Sequence, residues 1–210
     1  TQGLDDRRVS PFSTLRLPRP PTRRYHVHRM ALSQITWQDV QQLPDDGNRY
    51  EAIDGELYVT PAPSTRHQRV SLRLTLILHR LLEEAADGEL LYAPIGVEFP
   101  ATEEGVQPDI VLVTRARRGI IIPEGIRGAP DLVIEILSPS TAHRDRGVKR
   151  KLYDRQGISE YWIVDPDGGV VEVWTFGTEP GHARFADRLP VRLAGELIGE
   201  IDLAEVFRTD

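Results

Sequence analysis

No cysteine occurs in this chain, which excludes disulfides and thiolate metal sites and fits a cytoplasmic protein. Any metal must therefore be held by oxygen or imidazole. No apolar run approaches the roughly 18 residues that would cross a bilayer, so no membrane partner is expected. Walker-type phosphate loops and dinucleotide fingerprints are also missing, which argues against ATP and NAD chemistry. No internal repeat is visible. Lysine is nearly absent as well: of 26 basic residues, only Lys149 and Lys151 are not arginine.

What is present divides unevenly. The 210 residues carry a net charge of −6, yet residues 1–29 hold seven Arg against two Asp, a net of +5 that leaves −11 for the rest. That first stretch, rich in Pro and without hydrophobic periodicity, reads as a disordered basic arm or an upstream artefact. Met30, the sole methionine, marks where an ordered pattern begins, and residues 30–210 read as a single domain. An acidic domain argues against broad electrostatic affinity for nucleic acid, while leaving room for local basic patches.

From Met30 onward the pattern alternates. "SQITWQDVQQLP" predicts a short helix capped by Thr36, and "RYEAIDGELYVTP" predicts two strands joined at Asp54-Gly55, a strong hairpin signal. "STRHQRVSLRLTLILHRLLEEAADG" predicts a long helix, because Val70, Leu74, Ile77, Leu78 and Leu81 recur at helical spacing and Gly88 follows its end. "LLYAPIGVEFP", "PDIVLV" and "DLVIEIL" read as strands. "TAHRDRGVKRKLYDRQG" predicts a second helix between Thr141 and Gly157. "EYWIVDP" and "VVEVWTF" form a hairpin around residues 167–169, and "IDLAEVF" closes as a short helix. Strands and helices in this order make an α/β (α+β) fold, a mixed sheet with helices on its faces.

One residue does not belong to its surroundings. Glu135 is the single charge in the apolar run Leu132 to Leu137, and burying an unpartnered carboxylate costs several kcal/mol or more (~several). Asp109 enters the preceding apolar strand just after Pro108. If the two strands are neighbours, the carboxylates converge, and a hard divalent cation or a shared proton must lie between them. Mg²⁺ suits one or two carboxylates, waters and a substrate phosphate. Taken singly, Asp109 also reads as a strand cap and Glu135 as half of a buried pair with an arginine.

The two lysines follow on the next helix. Where arginine is the default, a lysine suggests that a compact ammonium is needed. On a helical wheel Val148 and Leu152 define the buried stripe, Asp145, Lys149 and Tyr153 form an i, i+4 row along its border, and Lys151 lies on the opposite flank. Lys149 is therefore the candidate, against the alternative of a solvated basic face. His67, opening the long helix, either faces the site or caps and packs, with packing the simpler reading. Tyr161 and Trp162 read as core or dimer surface. Ser138-Pro139 ends the Glu135 strand, with Ser138 near enough to touch a phosphate. Arg115, Arg117 and Arg118 read as a solvated loop or, with Arg144, Arg146 and Arg150, as a track for a nucleic-acid backbone.

"RYEAIDGEL", "HQRV", "QPDIVLV", "DLVIEILSPST", "RDRGVKRKLY" and "GISEYWIVDP", in that order, resemble the Uma-type restriction-endonuclease family, a branch of the PD-(D/E)XK nuclease superfamily. The likeness covers roughly Leu32 to Phe207. It implies a restriction-endonuclease-like central mixed sheet flanked by helices, a phosphodiesterase site using Mg²⁺ with Mn²⁺ as a substitute, and DNA as substrate. By position Asp109 and Glu135 take the two acidic places of the motif, and Glu51 the acidic residue supplied by an early element. The superfamily pattern places Lys two residues after the second acid, where this chain has Leu137. Lys149, arriving from the following helix, is the matching cation, with His67, Asp145 and Tyr153 in support. A homodimer is expected, since two strands are most simply cut by two sites. Two other classes fit the same residues: a catalytically inert DNA- or protein-binding module, and a metal-dependent hydrolase of RNA or nucleotides.

Overall fold

Asp54 and Gly55, both at positive φ (53° and 76°), turn the chain between strands β1 (Arg49–Ile53) and β2 (Glu56–Thr60), as the Asp-Gly pair predicts. The computed structural model describes residues 34–85 and 87–209, so the basic arm expected at residues 1–29 lies outside the described residues. The described residues form one unit. Helix α1 (Trp37–Val40) starts at the predicted cap: the Thr36 hydroxyl accepts from the Asp39 N–H, and the Asp39 carboxylate accepts from the Thr36 N–H at 2.9 Å.

The long predicted helix is α2 (Thr65–Ala85), burying Val70, Leu74, Leu78, Leu81 and Leu82, with Ile77 partly buried against the same core. Gly88 follows it at φ 86°. "LLYAPIGVEFP" is not one strand but two, β3 (Glu89–Tyr92) and β4 (Val97–Phe99), in different sheets. Next come β5 (Glu104–Val106), β6 (Ile110–Val113), a 3₁₀ segment (Arg115–Ile120), β7 (Ile121–Ile122), β8 (Gly125–Arg127) and β9 (Leu132–Ile136). Helices α3 (Ala142–Arg144) and α4 (Arg150–Arg155) flank a π-helical stretch, Asp145–Lys149. The chain ends with β10 (Glu160–Asp165), β11 (Val170–Thr175), β12 (Gly181–Phe185), β13 (Arg188–Leu193), β14 (Glu196–Asp202) and α5 (Leu203–Phe207).

These strands form two six-stranded mixed sheets and a separate hairpin. The orders are β2-β1-β5-β4-β8-β7 and β12-β11-β10-β9-β6-β3, with β13-β14 apart. The fold is thus the expected α/β type. Strand alternation assigns the two faces of the second sheet. Ile110, Leu112, Leu132, Ile134, Trp162 and Val164 point into a core shared with α2, α5 and the hairpin. Val111, Val113, Val133, Tyr161 and Ile163 point the other way, into a core shared with Ile53, Val97 and Ile126 of the first sheet and with Leu152 and Tyr153 of α4. Tyr161 and Trp162 are fully buried core residues, not platforms for bases. By the same alternation Asp109 and Glu135 share the second face, and Arg49, Glu51 and Ile53 on β1 share one face of the first sheet. Among the described residues, no helix is long and apolar enough to cross a membrane.

Trp37 closes the outer side of the first sheet by lying on bare backbone. A Cβ at Gly105 would stand 2.1 Å from Cδ2 of the buried indole, at the stiff end of the side chain. Gly105→Ala should therefore displace Trp37 and cost about 3 kcal/mol, read as a lower urea midpoint at unchanged slope.

Candidate active site

The site forms at one end of the space between the two sheets. Strands β6 and β9 are antiparallel neighbours with Ile110 opposite Ile134, so continuing that register sets Asp109 opposite Glu135. The Asp109 side chain replaces a ladder partner: Oδ2 accepts from the Ile136 N–H at 2.8 Å. Glu51 comes from β1, where Oε1 accepts from the Gln107 N–H at 2.9 Å. Lys149 enters from the π-helical stretch and joins two of the acids, its Nζ standing 2.7 Å from both Glu51 Oε1 and Glu135 Oε1. Asp145 Oδ1 lies 3.9 Å from the same ammonium. All five residues are buried, none more than 3% exposed, beside a cleft of about 200 Å³ that also meets Ser138, Thr141 and Arg144.

The four residues expected from the sequence, Glu51, Asp109, Glu135 and Lys149, thus border one cleft, and Lys151 is exposed elsewhere. Several details differ from expectation. The row Asp145–Lys149–Tyr153 is buried, not the border of a stripe, whereas Val148 is only half-buried. The π-helical turn explains this, since its wider spacing shifts the rows of a regular helical wheel. Thr141 occupies the cap position but makes no capping bond; its hydroxyl instead meets Ser138 Oγ at 3.0 Å. The Tyr153 hydroxyl donates to Glu135 Oε1 at 2.7 Å, the same oxygen that Lys149 Nζ meets. His67 does more than pack: its Nε2 lies 3.1 Å from Asp109 Oδ2.

Two arginines complete the site that were not anticipated in it as partners of the acids. Arg49 donates to Asp109 Oδ1 at 2.7 Å, and Arg144 approaches Glu51 Oε2 at 3.8 Å while donating to Thr60. Arg49 was legible in principle, because it precedes Glu51 by two residues on one strand and so shares its face. The proposed backbone track is largely neutralised: Arg117 pairs with Asp131 (3.2 Å), Arg118 with Glu89 (3.0 Å) and Arg146 with Glu172 (2.9 Å). Arg150 lies over the Trp174 ring at 4.7 Å.

The electrostatics separate the two strand acids. Burial tends to raise the Asp109 pKa, but hydrogen bonding and attraction from His67, the Arg49 charge and the Ile136 N–H outweigh it and hold the group at about 2. Burial pushes Glu135 up to about 8 despite Lys149, with Asp145, Asp109 and Glu51 adding repulsion. Asp145 is raised by burial too. For Lys149, burial opposes the charge, yet Glu135, Glu51 and Asp145 overcome it and raise the pKa, so the ammonium persists. Losing the Glu135 proton therefore adds a further negative charge to a cleft already lined by acids. A folded-state pKa above the ordinary 4.5 means the fold binds this proton more tightly than the unfolded chain does. Stability of the metal-free protein should fall as pH rises from about 4.5 to about 8. Melting temperatures across that window check this, and Glu135→Gln should flatten the decline.

The donor set suits a hard cation. Glu51 Oε2 and Asp145 Oδ1 are buried without a hydrogen-bond partner, and both hydrogen bonds to Glu135 from described residues fall on Oε1. Carboxylate oxygens in excess of donors are what Mg²⁺ or Mn²⁺ would satisfy. No preformed group of three such ligands stands ready among the described residues, since Lys149 and Arg49 hold the acids apart as ion pairs.

Residues 37–198 match the model of the family described as "Uma2: Putative restriction endonuclease", and the chain belongs to that family. An uncharacterized protein of Synechocystis is 31% identical over 141 residues, covering 67% of this chain and 70% of the relative. A crystal structure of "a putative nuclease belonging to DUF820" from Anabaena variabilis superposes with a TM-score of 0.67 at 20% identity, over 82% of this chain and 97% of that one. That likeness establishes the shared fold.

Proposed function

We propose that this chain is a Mg²⁺-dependent endonuclease that hydrolyses DNA phosphodiester bonds, with Mn²⁺ able to substitute. The observation that carries this reading is the convergence of Glu51, Asp109 and Glu135 on one buried cleft with Lys149 between two of them. Asp109 and Glu135, assisted by Glu51, would hold the cation, which when bound polarises the scissile phosphate and lowers the pKa of a coordinated water.

The chain's own residues do the rest. Lys149 keeps its proton and stands ready to orient the attacking water or to stabilise charge growing on the phosphate oxygens. Tyr153 fixes Glu135 through its 2.7 Å hydrogen bond, and His67 fixes Asp109 from the side away from Arg49. Asp145 keeps the Lys149 ammonium from relaxing wholly onto Glu135. In a homodimer two such clefts would address the two strands.

A second reading has its own observation: both oxygens of Asp109 are already occupied, by Arg49, His67 and the Ile136 N–H. If Arg49 does not yield to a cation, the chain is an inert binding module on a nuclease fold. Incubation with duplex DNA, single-stranded DNA, RNA and free nucleotides, in Mg²⁺ and in EDTA, separates these readings. Metal-dependent cleavage of DNA is expected. Products from nucleotides or RNA alone would move the assignment to another hydrolase, and no cleavage together with no calorimetric heat for Mg²⁺ or Mn²⁺ would favour the inert module.

A further inference from the structure

Beside the carboxylate cleft lies a larger cavity of about 590 Å³ that shares Pro63, His67 and Asp109 with it. One wall is the N-terminal half of α2, where Gln68, Leu72 and Leu76 repeat at i, i+4 spacing. The other is the edge strand β3, where Leu90 and Tyr92 share a face. The two sites are tied together by backbone, since the Ala93 N–H following β3 donates to the Asp109 carbonyl at 2.9 Å.

The cavity's chemistry differs from that of its neighbour. Leu72 and Leu76 are each 59% exposed and Tyr92 is 62% exposed, an uncommon concentration of bare apolar surface. Around them stand the hydrogen-bonding groups of Ser71, Thr75, Gln68 and His79, and among the described residues no Lys or Arg lines the cavity. A phosphate backbone meets no lysine or arginine of the described residues here. A neutral planar group with polar edges finds both apolar and hydrogen-bonding partners, and the volume falls within the roughly 300–1,000 Å³ of small-ligand sites. His67, only 5% exposed and lining both cavities, keeps Nδ1 buried without a hydrogen-bond partner.

We infer that this groove is a base subsite: it receives an unpaired nucleobase adjacent to the phosphate held in the carboxylate cleft, with the base stacking on Tyr92 and packing on Leu72 and Leu76. This rests on the nuclease reading and adds to it a preference for nucleic acid that offers an unpaired nucleotide at the cleavage point, such as a gap, flap or single strand. One observation agrees: the arginines expected to follow a duplex backbone are largely paired with carboxylates. Base stacking on an aromatic side chain is a sequence-tolerant source of affinity.

The experiment uses the full chain and two synthetic duplexes, one continuous and one with a short single-stranded gap bearing 2-aminopurine. Binding is read by anisotropy and 2-aminopurine fluorescence, and cleavage is followed in parallel. Preference for the gapped substrate with altered 2-aminopurine emission is expected, and Tyr92→Ala should weaken gapped-DNA binding by roughly tenfold. Because Tyr92 is exposed, an unchanged melting temperature would show that the variant is folded.

Equal binding of both substrates, unmoved by Tyr92→Ala, would overturn the subsite. Metal-dependent cleavage would then leave the nuclease reading intact. No binding and no cleavage of either substrate would remove the nuclease reading, and the subsite with it. Sedimentation showing that Leu76→Asp splits a wild-type dimer would assign the groove to a second copy of this chain and also overturn the proposal.

Discussion

Replacing Lys149 with methionine should abolish nuclease activity and destabilise the fold at the same time. The ammonium is the shared partner of Glu51 and Glu135 at 2.7 Å and faces Asp145 at 3.9 Å. Removing one member of a buried ionic cluster costs about 3–5 kcal/mol, because the remaining charges lose their partner. Losing a preorganised cation aimed at developing phosphate charge costs about 10²–10³ in rate. These two losses can be told apart. The double variant Lys149→Met/Glu135→Gln, compared above pH 8 where Glu135 is ionised, removes one of the carboxylates left without a partner, so it should recover part of the stability and none of the activity. Chemical denaturation and plasmid cleavage by the two single variants and the double one make the comparison. Recovery of activity along with stability would show that Lys149 is only structural.

The second large effect is expected at Asp109. Asp109→Asn keeps the shape of the side chain and one carbonyl oxygen for the Ile136 N–H, but removes the charge that Arg49 and His67 now face. Because the folded-state pKa is held at about 2 against an ordinary 3.8, the ionised group contributes about 2 kcal/mol. That contribution is present above roughly pH 4 and is lost as pH falls toward 2. The variant should therefore be less stable than wild type at neutral pH, with the gap closing in acid. Its activity should fall by more than about 10³, as expected for a residue proposed both to ligate the cation and to fix its position. Mn²⁺ should raise the melting temperature of the wild-type protein and leave that of the variant unchanged.

Much of this arrangement was legible in the sequence, and the reasons are physical. Asp54-Gly55, the periodic leucines of α2 and the apolar runs of β6 and β9 all carry strong local signals. Glu135 declared itself as a charge in a buried strand, and Lys149 by being lysine in a chain that otherwise uses arginine. The strands β5, β7 and β8 were not anticipated, because two or three residues hold no measurable alternation. Strand β13 carries Pro190 in its middle, which reads against a strand until the isolated hairpin leaves it an open edge. The partners of the acids were hidden for another reason. The burial of Asp145, Lys149 and Tyr153 against Glu135 depends on a π-helical turn that helical periodicity does not reveal. His67 meets Asp109 only because α2 covers the sheet at β6, a tertiary fact absent from either segment alone.

Cleavage of supercoiled plasmid DNA by the wild-type protein, Asp109→Ala and Lys149→Met, each in Mg²⁺, Mn²⁺ and EDTA, tests the central claim most directly. The geometry predicts nicking by wild type with either metal, none in EDTA, and none by either variant. Nicking that survives both substitutions, or that proceeds undiminished in EDTA, would place the chemistry outside this cleft.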